Sequence, residues 1–172
     1  VLWRIQKFIT LITRQHFDMN NKQLSWYLSG YTDGEGSFII SFSPRKKLNI
    51  GVEVRPSFAV AQRKDRAEPL HLFRDLLKCG DVRFNKSDQT LKFEVRSIRD
   101  LMETVIPFFD KYPLQSSKIN DYKIFKKICL MIFEGKHLKK QGLIKIINQA
   151  YKMNGVGARR YLKLKILSYI TK

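Results

Sequence analysis

The sequence predicts an α+β protein in which helices pack on a curved, antiparallel, four-stranded sheet. Four short segments alternate apolar and polar residues with the period of a half-buried strand, and they occur in two pairs. Segments with helical spacing precede, separate and follow these pairs, so the predicted order is αββαββα with further helices at the C-terminal end. A single domain over residues 19–172 is expected, with residues 1–18 as a helical extension.

The first helical pattern leads into a turn that holds two acids. The segment LSWYLSGYTDGEGSF begins at Leu24, and its stretch up to Asp33 contains no proline, which favours a helix of about three turns. Gly34 and Gly36 are expected to supply the backbone freedom for a sharp exit into the first strand. Glu35 would then project its carboxylate from a helix-to-strand turn.

The same helix carries a stripe of small residues, formed by Ser29, Gly30, Asp33 and Gly34. Gly30 and Gly34 lie one turn apart, so a second helix could approach with its backbone almost in contact. If that helix comes from a second copy, two-fold symmetry brings two Glu35 carboxylates together. The stripe therefore predicts a dimer interface.

The four strand segments share an apolar face that is expected to pack on the core. Its members are Phe38, Ile40, Phe42, Val52, Val54, Phe58, Val60, Val82, Phe84, Leu91, Phe93 and Val95.

The opposite face is polar and mostly basic. An ordinary solvent-facing sheet would look similar, but a β-ribbon of this kind also fits the DNA major groove, and the charge of the chain favours that interpretation. Arg55 and Arg83 are the candidates for reading base edges. The predicted DNA contacts are Ser37, Ser41, Ser43, Arg45, Lys46, Glu53, Arg55, Ser57, Arg63, Arg66, Arg83, Asn85, Lys86, Lys92 and Arg96.

The remaining segments are predicted to be helices. Apolar residues recur at helical spacing over Ala67–Cys79, where Gly80 follows as a stop signal, and Ser97 is placed to cap a helix over Ile98–Phe109. Two further helices are predicted around a break at Glu134–Gly135, and a last helical pattern ends the chain over Ala158–Ile170.

Composition points to a polyanionic partner. The chain has 33 Lys and Arg against 15 Asp and Glu, a formal charge of +18, and no apolar run long enough to span a bilayer, so nucleic acid is favoured over a membrane. Cys79 and Cys129 lie far apart in the sequence, which supports neither a zinc site nor a disulfide framework. His16, His71 and His137 lack the spacing of a metal cluster or an H-N-H nuclease.

At the acidic turn the chain resembles a known family. LSGYTDGEG, from Leu28 to Gly36, is similar to the motif of the LAGLIDADG homing endonucleases, in which two such helices pack together and each delivers a metal-binding acid. The segments SSKINDYKIF, KHL and MNGVG resemble the organellar branch of that family. The resemblance covers Leu24 to Gly157. It implies that Glu35 is the metal ligand and that Asp33 serves the helix end and interface.

The resemblance also implies the other members of a catalytic site. Gln62 matches a water-positioning glutamine and Lys118 the basic catalytic residue, although Gln115 competes with Lys118 for that position. The implied cofactor is Mg²⁺, with Mn²⁺ as a substitute.

The expected function is site-specific cleavage of double-stranded DNA at a long, near-palindromic target. The sequence contains no second copy of the motif, so a complete site would require a homodimer. The alternative is a binder of the same fold that does not cut, either an intron RNA maturase or a DNA-binding regulator. An organelle, mitochondrion or chloroplast, is the expected compartment.

Overall fold

The computed structural model describes residues 20–86, 88–155 and 160–170; the predicted extension over residues 1–18 lies outside them. None of the helices described is long and apolar enough to cross a membrane. In chain order the elements are α1 (Asn21–Glu35), β1 (Gly36–Pro44), β2 (Val52–Arg63), α2 (Glu68–Leu77), β3 (Asp81–Asn85), β4 (Thr90–Val95), α3 (Ile98–Asp100, the π-helical turn Leu101–Val105 and Ile106–Lys111), α4 (Lys118–Phe133), α5 (Lys140–Ala150) and α6 (Lys163–Ser168), with 3₁₀ turns at Lys64–Arg66 and Lys136–Leu138.

The predicted α+β class and the four-stranded antiparallel sheet are confirmed. The strand order is β1-β2-β4-β3. β2 is central and 12 residues long, and it pairs with β1 from Gly36 opposite Val60 to Pro44 opposite Val52. Since β1 continues directly from α1, this register fixes where the helix ends relative to the sheet.

The helices cover one face of the sheet and enclose an aromatic core. Phe38 on β1 is 1% exposed, and its ring centroid lies 5.4 Å from that of Phe58 on β2 and 5.2 Å from that of Phe125 on α4. One hydrophobic cluster extends from Leu28 on α1 to Ile166 on α6. Phe38 therefore links the strand that follows the acidic turn to the helix that begins with Lys118.

Two predicted helix boundaries are confirmed in detail. The hydroxyl oxygen of Ser97 accepts a hydrogen bond from the Asp100 amide at 3.3 Å, as a helix N-cap does. The break between α4 and α5 falls at Gly135, whose φ of +72° lies in the left-handed region that glycine tolerates best.

Two side chains differ from expectation in their exposure, although the strand register places them on the predicted faces of the sheet. Phe84 lies opposite Leu91 on the apolar face, but β3 is an edge strand and leaves this side chain 41% exposed. Ser57 lies on the outer face of β2, but it is only 7% exposed. Ser57, which lies opposite Ile39, is thus not an accessible DNA contact.

The exit from α1 differs from the expectation as well. Gly34 still belongs to the helix, and Gly36 has a φ of −79°, which any residue can adopt. Gly36 is required for space, because a Cβ there would lie 2.4 Å from Cγ2 and 2.8 Å from the carbonyl oxygen of Thr32.

Replacing Gly36 with alanine should lower the free energy of unfolding by about 1–3 kcal/mol, since the added methyl group forces the last turn of α1 to shift. Urea unfolding followed by circular dichroism measures this change. Gly155→Ala is the matched control, because a Cβ at Gly155 has no heavy atom within 4 Å. Equal midpoints for the two variants would contradict the steric explanation.

Candidate active site and nucleic-acid interface

Glu35 is the last residue of α1, and its carboxylate is exposed. The helix is held at its other end by Asn20, whose side chain accepts hydrogen bonds from the amides of Lys22 and Gln23. Within the described part of the chain the Glu35 carboxylate interacts electrostatically with Lys118 but makes no hydrogen bond or ion pair. Both of its oxygens are therefore available, and carboxylate oxygens are the ligands that Mg²⁺ prefers.

Lys118, the first residue of α4, reaches the C-terminal end of α1. Its Nζ donates hydrogen bonds to the carbonyl oxygens of Thr32 at 2.8 Å and Gly36 at 2.6 Å. Burial lowers the pKa of Lys118, and the nearby carboxylates, Asp33 and Glu35 among them, act against that shift without cancelling it. Two of the three ammonium protons are thus used within the chain, and one is left for a ligand.

Gln115, the alternative to Lys118, has its side chain turned elsewhere. Its Nε2 donates to the carbonyl oxygen of Pro113 at 2.9 Å, within its own loop. Of the two candidates, Lys118 is therefore the one whose side chain lies beside Glu35.

Gln62 lies near the end of β2, two residues past Val60, which pairs with Gly36. Its Nε2 donates to the hydroxyl of Tyr31 at 2.9 Å, and its Oε1 accepts from the Arg63 amide at 2.9 Å. These bonds hold the Gln62 amide against the last turns of α1, so the structure brings it to the same end of the helix as Lys118.

Asp33 joins α1 to the loop before α4. Its carboxylate accepts hydrogen bonds from the Gln115 amide at 2.8 Å, the Ser116 amide at 3.3 Å and the Ser116 hydroxyl at 2.6 Å. Burial by itself would raise the pKa of Asp33, but the hydrogen bonds from Ser116 and Gln115 outweigh it and lower the pKa. Because α4 starts two residues after Ser116, this contact also sets the position of Lys118.

The four residues of the predicted dimer stripe fall into two groups: Ser29 and Asp33 bind other parts of their own chain, whereas Gly30 and Gly34 are exposed. The Ser29 side chain is buried at 1% exposure and donates to the carbonyl oxygen of Tyr112 at 2.8 Å, so it faces the core of its own chain, and its place in an interface stays a prediction. Asp33 likewise directs its carboxylate into its own chain. Gly30 and Gly34 are exposed, and no heavy atom lies within 4 Å of a Cβ built on either. This open glycine face, Gly30 and Gly34, is the part of the stripe that a second helix could reach.

The outer face of the sheet carries basic side chains that acids hold in place. Two glutamates each bind two cations: Glu53 accepts from Arg45 and Arg55 at 2.8 Å each, and Glu94 pairs with Lys92 at 3.0 Å and Arg96 at 2.7 Å.

The pKa values of both glutamates reflect these pairs. Hydrogen bonds from Arg55 and then Arg45 lower the pKa of Glu53. Burial raises the pKa of Glu94, but its contacts with Lys92 and Arg96 lower it by more. Both acids therefore stay ionised and fix the directions of their basic partners.

The other predicted DNA contacts lie on the strands, in the turns beside them or at the strand ends, and two of them form ion pairs. Arg63 pairs with Asp65 at 3.2 Å, and Arg83 pairs with Asp81 at 3.1 Å. The following are exposed or half-buried: Ser37, Ser41, Ser43, Lys46, Arg63, Arg66, Arg83, Asn85 and Lys86.

Sequence reasoning missed Tyr31 and Ser116. Tyr31 lies four residues before Glu35, a spacing that places both side chains on one face of a helix, and this signal was present in the sequence. No local signal identifies Ser116, because its partner Asp33 is 83 residues away.

The described residues contain no cluster of metal-ligating side chains. Among residues 20–86, 88–155 and 160–170, no three His, Cys, Asp or Glu side chains converge on a common point. Glu35 fits a hard cation, but further ligands must come from water, nucleic acid or a second protein chain.

The fold and the site together define an α+β protein in which a basic sheet surface adjoins an exposed carboxylate at the end of a helix. The chain belongs to the LAGLIDADG endonuclease family, whose model matches residues 28–129.

Curated relatives agree with this assignment. A probable intron-encoded DNA endonuclease of Mycosarcoma maydis is 34% identical over 113 residues, which cover 66% of this chain and 40% of that protein. The DNA endonuclease I-CeuI of Chlamydomonas moewusii is 28% identical over 127 residues, which cover 72% of this chain and 57% of that protein. The chain thus spans only part of each of these relatives.

Solved structures show the same fold. The homing endonuclease I-TnaI superposes with a TM-score of 0.78 at 33% identity, covering 90% of this chain and 100% of that chain. The I-LtrWI LAGLIDADG homing endonuclease, bound to its target DNA, superposes with a TM-score of 0.80 at 32% identity, covering 89% of this chain and 51% of that chain.

Replacing Asp33 with asparagine should lower the free energy of unfolding at pH 7 by about 1–3 kcal/mol, because an amide nitrogen would replace one acceptor oxygen facing the donors of Gln115 and Ser116. Since the pKa of Asp33 is lower in the folded protein, its contribution is present above its unfolded pKa of about 3.9 and is lost as the pH falls through the folded value. The difference between wild type and Asp33→Asn should therefore shrink below about pH 4.

Urea unfolding at several pH values between 7 and 3 measures this difference. Asp75→Asn is the control, because Asp75 is 59% exposed and pairs only with its neighbour Arg74 in the described contacts. A constant difference between wild type and Asp33→Asn over this pH range would contradict the proposed role of the ionised carboxylate.

Proposed function

We propose that this protein is a site-specific double-stranded DNA endonuclease that acts as a homodimer with Mg²⁺. The observation that carries the proposal is the Glu35 carboxylate, which is exposed and unpaired in the described chain yet lies beside the Lys118 ammonium. An exposed acid next to a basic nucleic-acid surface repels phosphate unless a cation lies between them. Membership of the endonuclease family and the charge of +18 support the same reading.

The residues at the end of α1 suit phosphodiester hydrolysis. Glu35 would be a ligand of Mg²⁺. When bound, Mg²⁺ would neutralise charge on the phosphoryl oxygens and lower the pKa of a water molecule. Lys118 has one ammonium proton left to stabilise negative charge, and Gln62 has one N–H left to orient water. These groups are fixed by hydrogen bonds to α1, so little reorganisation is needed when DNA binds.

A second copy of the chain would complete the site. One motif supplies one Glu35, whereas the open glycine face, Gly30 and Gly34, allows a second α1 to pack closely. The relatives agree with this size of unit: the chain matches all of I-TnaI and about half of I-LtrWI, at 100% and 51% of their lengths. A domain over residues 19–172 remains part of the proposal, supported by the cluster from Leu28 to Ile166.

The sheet would lie in the DNA major groove with its outer face toward the bases. Arg55 and Arg83 are exposed on β2 and β3, and each is steadied by an acid on its own strand. A fixed guanidinium can form the bidentate contact that reads guanine. Relatives named for introns of ND4 and cox1 support an organellar, mitochondrial origin.

Glu35→Gln should abolish cleavage while DNA affinity stays equal or rises, because the amide keeps the shape of the side chain but loses the charge that holds the cation. A randomised double-stranded DNA library incubated with Mg²⁺, and in parallel with Ca²⁺, identifies the target, and single-turnover assays then compare the variants. Glu103→Gln is the control, since Glu103 lies on α3 in a surface pair with Arg99.

Wild-type cleavage by Glu35→Gln would refute the site assignment. Tight binding by the wild type without cuts under any divalent cation would instead favour the non-cutting binder, and RNA substrates would then distinguish a maturase from a regulator.

Gly34→Leu should weaken dimerisation and reduce cleavage, because a bulky side chain keeps the two α1 helices apart and separates the Glu35 carboxylates. Sedimentation of the protein with and without target DNA measures the assembly. Asn148→Leu is the control, because it adds an equally bulky apolar side chain at an exposed position of α5. An unchanged dimer in Gly34→Leu would place the interface elsewhere.

A further inference from the structure

We propose that Tyr31 is a positioning residue that fixes the Gln62 amide for catalysis beside Glu35; the inference rests on the proposed nuclease function. The phenol oxygen of Tyr31 lies 2.9 Å from Nε2 of Gln62 in a partly buried contact. Neither the motif nor the predicted catalytic set assigns a role to this side chain.

Chemistry decides which way the Gln62 amide points. Its other terminal atom lies 2.9 Å from the backbone nitrogen of Arg63, which can only donate a hydrogen bond, so that atom must be the oxygen. The nitrogen therefore faces Tyr31, whose phenol oxygen accepts. The Arg63 amide holds the oxygen of the Gln62 side chain, and Tyr31 holds its nitrogen, so the two contacts together fix the amide at both ends.

The contact also ties the strand end to the helix that carries Glu35. Tyr31 and Glu35 are separated by one helical turn on the same side of α1. Gln62 comes from β2, 31 residues further along the chain than Tyr31. A single hydrogen bond thus sets the position of a β2 side chain relative to the carboxylate.

Two donors remain after these bonds are made. The Gln62 nitrogen has a second proton, and the Tyr31 hydroxyl, which accepts from Gln62, keeps its own proton for water. A water-positioning amide is effective only when its orientation is fixed before reaction, since misplacement by a fraction of an ångström reduces the rate. Tyr31 therefore acts on the rate of cleavage through Gln62, and it has no required contact with DNA.

Tyr31→Phe removes the acceptor and keeps the ring. The single-turnover cleavage rate should fall about 3- to 10-fold, the range expected for loss of one hydrogen bond, while the Kd for target DNA stays unchanged. In a Gln62→Ala background the same change should cause no further loss, because the group that Tyr31 positions is gone. Tyr27→Phe is the control: it keeps the ring, whose centroid lies 6.1 Å from that of Tyr31, and removes a hydroxyl that makes no hydrogen bond among the described residues.

A second measurement does not depend on cleavage. The NMR order parameter of the Gln62 side-chain N–H groups should fall in Tyr31→Phe and stay unchanged in Tyr27→Phe. An unchanged cleavage rate or order parameter in Tyr31→Phe would overturn the inference, and so would an equal rate loss with and without Gln62, which indicates a general structural effect. If the wild type cuts no DNA, the nuclease proposal and the catalytic role of Tyr31 both fail, and the order parameter alone decides whether Tyr31 holds the amide.

Discussion

The contact between the last turn of α1 and the first turn of α4 determines where Lys118 lies relative to Glu35. Asp33 accepts three hydrogen bonds from Gln115 and Ser116, and Lys118 returns two hydrogen bonds to carbonyl oxygens of the α1 end. The Thr32 carbonyl oxygen also accepts from the Gly36 amide, so Lys118 adds a second donor at the C-terminal end of α1, where its charge meets the negative pole of the helix dipole. The same bonds that close the helix therefore bring a cation to Glu35.

The two acids of the turn differ because of what surrounds them. The Asp33 carboxylate accepts hydrogen bonds from donors of its own chain. These bonds lower its pKa, so Asp33 stays ionised and serves a structural role. Glu35 lies two residues later, on the side where β1 begins, and it keeps its oxygens free within the described residues. On the sheet, Glu53 and Glu94 resemble Asp33 in this respect, since each is neutralised by two cations. A basic surface with paired acids and one unpaired acid at its margin suits a partner that is itself anionic and reaches the acid only with a cation.

The sequence predicted the elements well because their signals are local. Alternation located the strands, spacing located the helices, and Ser97 and Gly135 ended or began helices as their chemistry requires. The errors concern properties that depend on neighbours. Ser57 lies on the outer face, as its period predicts, but is only 7% exposed, and Ser29 looks like part of an open stripe but its hydroxyl binds the carbonyl oxygen of Tyr112, which is 83 residues away. For the candidate site, the resemblance predicted Glu35, Gln62 and Lys118, and the structure brings Gln62 and Lys118 to the end of α1 that carries Glu35; Tyr31 and Ser116, which hold Gln62 and Asp33, required the tertiary structure.

The glycines of α1 show how one short motif meets separate demands. Gly36 is excluded from bearing a side chain by Thr32 of its own chain, so it serves the close turn from helix to strand. Gly30 and Gly34 have no such neighbour, and in a helix glycine costs about 1 kcal/mol relative to alanine. Two glycines on an exposed helical face therefore lower the stability of the isolated chain, and no contact within the described residues compensates for that loss. A close approach by another helix gives them a physical reason, and the carboxylate that would lie at the end of such a helix pair is Glu35, the acid that one chain leaves without partners.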